Sequence, residues 1–222
     1  MIKKVFVEPN GETSVFIYIP NFLSEEKAKK THNWLNSKEY RQAVTHWNNA
    51  SIREQLWIQK DHKYFCKDWS KRYHRWESGN YDDTLSNLQS QIQESIDSLI
   101  YKDKHIKRPL INSVLINRYR TNNDTIKPHR DTPSTFGEYP TITGLSIGET
   151  RKLKVKKLLY DEENPHSFIY DNTKSFLNFD IELENGSLFI MAGASQKYFS
   201  HEIPKEDREC GERFSLTFRE VI

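Results

Sequence analysis

His129 and Asp131 stand two residues apart, His201 follows far downstream, and the chain closes on Arg213-Phe214-Ser215-Leu216-Thr217-Phe218-Arg219. Two imidazoles and one carboxylate are the ligand set that holds non-haem Fe(II) while leaving positions open for other ligands. In extended backbone, residues two apart share a face, so His129 and Asp131 can reach one ion while Arg130 points away. Pro128 favours extended backbone in the residue before it. Taken alone, an H-x-D is a weak signal that a surface turn cap fits better, and a lone His201 fits an ordinary partly buried histidine better than a ligand.

The last strand weighs that choice. Alternation places Arg213, Ser215, Thr217 and Arg219 on one face and Phe214, Leu216 and Phe218 on the other. With the apolar face against a helix layer, the two guanidiniums point into a barrel interior, where buried arginines need anions. A planar guanidinium fork pairs bidentately with a carboxylate, so two forks near a metal suit a dicarboxylate co-substrate. Asn117 and Tyr119, on one face of a strand from Val114 to Tyr119, can add polar contacts to the same ligand. The other reading is a solvent-facing strand with two ordinary surface arginines.

The elements that must position these residues follow from periodicity. Val15 to Ile19 reads as a strand ended by Pro20, and Ser24 with Glu25 and Glu26 as a capped helix start running to about Leu35. Leu85, Leu88, Ile92, Ile96 and Leu99 form an apolar helical stripe with Asp82 or Asp83 as N-cap. Downstream the period changes to two, giving strands over Val114 to Tyr119, Ile142 to Ile147, Lys152 to Leu158, Phe179 to Leu183, Leu188 to Met191 and Arg213 to Phe218. Asn185-Gly186 signals a type I′ hairpin, and Asp161 to Lys174 a surface loop. The sum is an α+β chain whose C-terminal half is a compact antiparallel sandwich or barrel.

Composition sets wider bounds. The 222 residues suffice for one domain, expected to act as a monomer. Charged residues are 29% and net charge only +2, so attraction to nucleic acid must come from local clustering. Cys66 and Cys210 are too few for a disulfide framework or a zinc motif and suit a reducing compartment. The N-terminus lacks the apolar core of a signal peptide and no stretch approaches transmembrane length. The expectation is therefore a soluble intracellular protein, nuclear or cytoplasmic, with no membrane partner.

These residues carry a family resemblance. Asn112-Ser113-Val114-Leu115-Ile116-Asn117-Arg118-Tyr119-Arg120, His129-Arg130-Asp131, Leu145-Ser146-Ile147-Gly148-Glu149-Thr150-Arg151, Asn185-Gly186-Ser187-Leu188-Phe189-Ile190-Met191, His201-Glu202-Ile203-Pro204-Lys205 and the closing strand resemble, in order and spacing, the AlkB family of Fe(II)- and 2-oxoglutarate-dependent dioxygenases, especially its nucleic-acid repair branch. The resemblance implies a double-stranded β-helix, or jelly-roll, core over residues 111–222, with helical support and a nucleotide-recognition lid over 1–110. It implies His129, Asp131 and His201 as iron ligands, with Asn117, Tyr119, Arg213, Ser215 and Arg219 on 2-oxoglutarate and Arg213 on its distal carboxylate. The closing strand has Ser215 where the family usually has Asn, and Pro133 stands where repair members commonly carry an acidic residue.

The implied activity is oxidative demethylation of N-alkylated bases in single- or double-stranded DNA or RNA, consuming O2 and 2-oxoglutarate and releasing succinate and formaldehyde. Hydroxylation or demethylation of a protein side chain is the alternative, which an acidic or apolar channel would favour. Arg53-Glu54-Gln55-Leu56-Trp57 resembles the family's lid. After it, Lys60, Lys63, Lys67, Lys71, Arg72 and Arg75 interleave with Tyr64, Phe65, Trp69, Tyr73 and Trp76, a pattern suited to phosphates and stacked bases. Arg53, Gln55, Trp57, Lys67 and Lys71 are accordingly the expected nucleic-acid contacts.

Overall fold

A computed structural model describes residues 1–44, 47–60, 78–100, 104–164 and 167–222. In chain order its elements are β1 (Ile2–Val7), β2 (Thr13–Ile19), α1 (Glu25–Asn36), β3 (Glu54–Gln59), α2 (Asp83–Ile100), β4 (Ser113–Tyr119), β5 (Ile126–His129), α3 (Pro133–Phe136), β6 (Ile142–Gly148), β7 (Arg151–Leu159), β8 (Ile169–Tyr170), a 3-10 segment (Asn172–Leu177), β9 (Phe179–Leu183), β10 (Leu188–Gly193), α4 (Ser195–Tyr198), β11 (Phe199–Ile203) and β12 (Arg213–Arg219).

The strands form two antiparallel sheets. The larger runs β1-β2-β10-β6-β12-β4-β3, and the smaller runs β5-β11-β7-β8 with β9 also paired to β7. Alternation divides the central strands of the large sheet, β2, β10 and β6 among them, between two cores. Phe214, Leu216 and Phe218 of β12, with Val114 and Ile116 of β4, pack beneath Leu85, Leu88, Ile92 and Ile96 of α2 and Ala28 and Leu35 of α1. A fully buried side chain of this kind contributes about 1.5–3 kcal/mol. Phe16, Phe189 and Met191 point the other way and meet Leu153, Val155, Phe199 and Ile203 of the smaller sheet.

The helices start where their caps predict. The Ser24 hydroxyl accepts from Lys27 N, with Glu25 and Glu26 in the first turn of α1. At α2, Asp82 Oδ1 accepts from Leu85 N at 2.9 Å, which makes Asp82 the cap.

Three expectations change. The half before residue 110 is not only helical support: β1, β2 and β3 are strands of the large sheet, so the Arg53 to Trp57 stretch continues into a sheet strand paired with β4. Asn185-Gly186 is not a two-residue hairpin, because β9 pairs with β7 in one sheet while β10 pairs with β2 and β6 in the other. Gly186 has φ +73° and Asn185 has no positive φ, so the turn lacks the type I′ form. It is a step between sheets, pinned by Gly186 N donating to Ser146 O at 2.7 Å and by Gly148 N donating to Asn185 Oδ1 at 3.0 Å. The Asp161 to Lys174 loop includes β8 and enters a 3-10 turn, because Asp171 Oδ1 accepts from Thr173 N and Lys174 N.

Candidate active site

Between the sheets lies a cavity of about 910 Å³ whose walls include His129, Asp131, His201, Asn117, Tyr119, Ser146, Arg213, Ser215 and Arg219. β5 and β11 pair so that His201 lies directly opposite His129, with ring centroids 4.2 Å apart. His129 Nδ1 lies 2.9 Å from Lys127 O. A carbonyl can only accept, so Nδ1 carries the proton and the Nε2 lone pair is left for another partner. Burial holds both imidazoles below their ordinary range, His201 well below it, where the neighbouring His129 and Arg219 act in the same direction. Both rings are thus unprotonated at neutral pH, the form a metal requires. His201 Nδ1 is buried with no hydrogen-bond partner among the described residues.

Asp131 follows directly from β5. Its backbone N donates to Gln196 Oε1 of α4 at 2.9 Å, which fixes the turn. Its carboxylate faces Arg219, with Oδ2 3.1 Å from Nε and Oδ1 accepting from Nη2 at 3.2 Å. Only the second contact is aligned as a hydrogen bond, so Oδ2 keeps unfilled lone pairs. Among the described residues no three His, Cys, Asp or Glu side chains converge as a finished metal-holding group. The histidine pair is assembled, and the carboxylate is shared with Arg219. Two neutral imidazoles beside a carboxylate with a free oxygen suit the chemistry of an Fe(II) facial triad.

Deeper in the cavity, strand register sets the remaining groups side by side. Arg213 lies opposite Tyr119, and Ser215 lies between Asn117 and Ser146. Arg213 is 1% exposed and donates from Nη2 to Ser146 Oγ at 3.0 Å, while Nε and Nη1 have no hydrogen-bond partner among the described residues. A desolvated guanidinium with two unmatched donor nitrogens is a binding site for an anion. Arg219 is held between Asp131 and the Phe136 ring, 4.8 Å from its centroid.

The expected nucleic-acid contacts are distributed differently. Arg53 lines the cavity. Gln55 and Trp57 are 3% and 2% exposed, and Trp57 packs with Leu115 and Phe136. Neither lines the cavity although both share the face of Arg53: Gln55 is taken up by its hydrogen bond to Asn117, and Trp57 by its packing against Leu115 and Phe136. Lys67 and Lys71 lie outside the described residues. The sequence reading missed Asn49 to Ile52, which form part of the cavity wall beside Arg53. Their segment doubles back through isolated pairings of Arg41 with Gln55 and Val44 with Ala50. Asn48, at φ +60°, was the available signal for that turn.

Comparison with known proteins agrees with this architecture. The family described as 2OG-Fe(II) oxygenase superfamily matches residues 15–219. Over 110 residues the chain is 37% identical to human "Alpha-ketoglutarate-dependent dioxygenase alkB homolog 3", covering 50% of this chain and 36% of that one. Over 120 residues it is 32% identical to "DNA oxidative demethylase ALKBH2" of Arabidopsis thaliana, covering 50% and 38%. The matched stretch therefore spans little more than a third of these relatives. Among solved structures, OsALKBH1 aligns at a TM-score of 0.59 with 13% identity, covering 98% of this chain and 100% of that one. A Pseudomonas putida prolyl-4-hydroxylase aligns at 0.54 with 13% identity, covering 92% of each chain. At such identities the likeness is one of fold.

Proposed function

The chain belongs to the 2OG-Fe(II) oxygenase superfamily, and we propose that it removes N-linked methyl groups from nucleic-acid bases by oxidation. The observation that carries the substrate class is the charge of the cavity. Its described walls hold Arg53, Lys127, Arg130, Arg213 and Arg219, against Asp131 as the one acidic residue, itself paired with Arg219. A cation-rich site suits a dianionic co-substrate and a phosphate-bearing substrate, whereas a protein substrate would favour an acidic or apolar channel.

In this reading His129, Asp131 and His201 hold Fe(II), and Asn117, Tyr119, Arg213, Ser215 and Arg219 hold 2-oxoglutarate, with Arg213 on its distal carboxylate. Iron, 2-oxoglutarate and O2 together supply the oxidising power that hydroxylates the methyl carbon. The protein's own contribution is geometric and electrostatic. Arg213 and Arg219 fix the co-substrate from two sides. Leu115, Ile142, Phe189 and Met191 give the cavity apolar surface suited to excluding water. Methylated bases pair poorly, so drawing one out of a duplex costs less than extracting an intact base. Arg53 and Lys127 of the cavity wall are the expected phosphate contacts, together with Lys67 and Lys71.

The deciding experiment supplies Fe(II), 2-oxoglutarate and O2 with methylated DNA, methylated RNA or methylated peptide, and measures succinate and formaldehyde. Release with either nucleic acid and none with peptide is expected. Release with peptide alone overturns the nucleic-acid reading and leaves the oxygenase intact.

A further inference from the structure

Asn117 Oδ1 accepts two hydrogen bonds from β3 and the residue before it, one from Arg53 Nε at 2.7 Å and one from Gln55 Nε2 at 2.9 Å. A guanidinium N–H can only donate, so the atom of Asn117 that meets Arg53 is its oxygen. That oxygen can only accept, which in turn fixes the Gln55 amide with its nitrogen toward Asn117. The amide of Asn117 is thereby held in one of its two orientations. Its opposite end, with two N–H donors, is left to face the cavity beside Ser215.

We propose that Arg53 and Gln55 are positioning residues for 2-oxoglutarate, locking the Asn117 amide so that it presents donors rather than an acceptor to the carboxylate ligand. The inference rests on the co-substrate assignment above. It also reassigns Gln55 from substrate contact to support of the co-substrate site. An unlocked amide spends part of its time with its oxygen toward the ligand, where two acceptors repel.

Arg53 is suited to this task because its backbone is fixed on both sides. Arg120 Nη2 donates to Ile52 O at 2.6 Å, and Arg41 and Gln55 exchange backbone hydrogen bonds at 2.9 and 2.7 Å. The Arg53 guanidinium also reaches Thr125 O at 3.4 Å, just before the strand that carries His129.

The test is calorimetric titration of 2-oxoglutarate into Mn(II)-loaded protein, which reads binding without turnover. Arg53→Met and Gln55→Leu should each raise the dissociation constant about three- to tenfold, the equivalent of one hydrogen bond. Asn117→Asp is nearly isosteric and still accepts from both donors, so the melting temperature should hold. Its second oxygen now faces the ligand, and the dissociation constant should rise at least about tenfold. Unchanged 2-oxoglutarate binding in Arg53→Met with weakened nucleic-acid binding overturns the inference alone, whereas equal affinity in wild type and Asn117→Asp overturns it together with Asn117's place in the co-substrate site. A wild-type chain that binds no 2-oxoglutarate overturns the co-substrate assignment and the inference with it.

Discussion

Replacing Arg213 by Met removes the cavity's deepest guanidinium while keeping most of its volume. Burial lowers its proton affinity to about 10; the Tyr119 phenol opposes the fall and Arg151 reinforces it. The group remains a cation at neutral pH with Nε and Nη1 unmatched among the described residues. Each charge-assisted hydrogen bond to an incoming carboxylate contributes about 1.5–3 kcal/mol net. On the proposed assignment Arg219, Tyr119 and Asn117 would remain to hold the ligand, so the loss should fall below twice that figure. A rise of at least about tenfold in KM for 2-oxoglutarate is expected, the equivalent of about 1.4 kcal/mol. Without ligand, the variant should melt no lower than wild type, since a buried charge with no acidic partner is replaced by an apolar side chain. At a hundred times the wild-type dissociation constant, 2-oxoglutarate should stabilise the wild type by about 2.7 kcal/mol and the variant far less. Succinate release against 2-oxoglutarate concentration and thermal melts with and without it give both readings. An unmoved KM with weakened nucleic-acid binding would place Arg213 on the substrate, and a large fall in melting temperature would make its role structural.

Four further outcomes are expected. His129→Ala, Asp131→Ala and His201→Ala should each abolish turnover and weaken Mn(II) binding while leaving far-UV dichroism nearly unchanged; normal succinate formation by any of them sinks the triad. Arg151 is fully buried and donates to Thr121 O, Asp124 O and Pro204 O at 3.2, 3.0 and 2.6 Å; Arg151→Lys strands carbonyls worth about 1–3 kcal/mol each and should lower the melting temperature by at least about 4 °C, which differential scanning calorimetry would detect. Burial pushes the Glu12 carboxyl up, but hydrogen bonds from Tyr139, Tyr198, Lys197 and Asn10 outweigh it and hold it at about 2; its stabilisation is complete above the usual value of 4.5 and is lost as pH falls toward 2, so a melting-temperature gap between wild type and Glu12→Gln that does not narrow over that range refutes the assignment. Lys67→Ala with Lys71→Ala should lower the salt slope of nucleic-acid binding by about 1 for each phosphate no longer neutralised, and an unchanged slope removes both from the interface.

What was legible in the sequence was whatever one strand or helix could state by itself. The alternation Arg213 to Arg219 specified both the buried face and the cavity face of β12, and the apolar stripe from Leu85 to Ile96 specified the face of α2 that covers it. Pairing across the chain was not legible. Ile2 to Val7 carries two adjacent lysines that break any alternation, and it becomes a strand because β2 offers an antiparallel edge. Glu54 to Gln59 carries Glu and Gln where a core strand would carry aliphatics, yet Arg118 reaches Glu54, and Asn117 accepts from Gln55. Asn185-Gly186 carries the composition of a hairpin, but its flanking strands find partners in opposite sheets. His201 looked ordinary until register placed it opposite His129. The Asp131–Arg219 contact joins residues 88 apart, beyond the reach of any local pattern.

The cavity wall nearest Asp131 narrows how a substrate can be recognised. Pro133 begins the single turn α3, has no side-chain polar group and is not among the described cavity-lining residues. The turn directs Phe136 inward instead, against Trp57 and Leu115 and over the Arg219 guanidinium. On the proposed reading, a base entering beside His129 and Asp131 would meet Phe136 and the Arg219 guanidinium rather than a carboxylate. An aromatic wall recognises shape and π-face, which every base possesses. On that reading the charged contacts would fall to Arg53 and Lys127 of the cavity wall, which suit phosphates common to all nucleic acids. With such a substrate, affinity would come from the backbone and from stacking, and selectivity for the damaged base from the ease with which it leaves its helix.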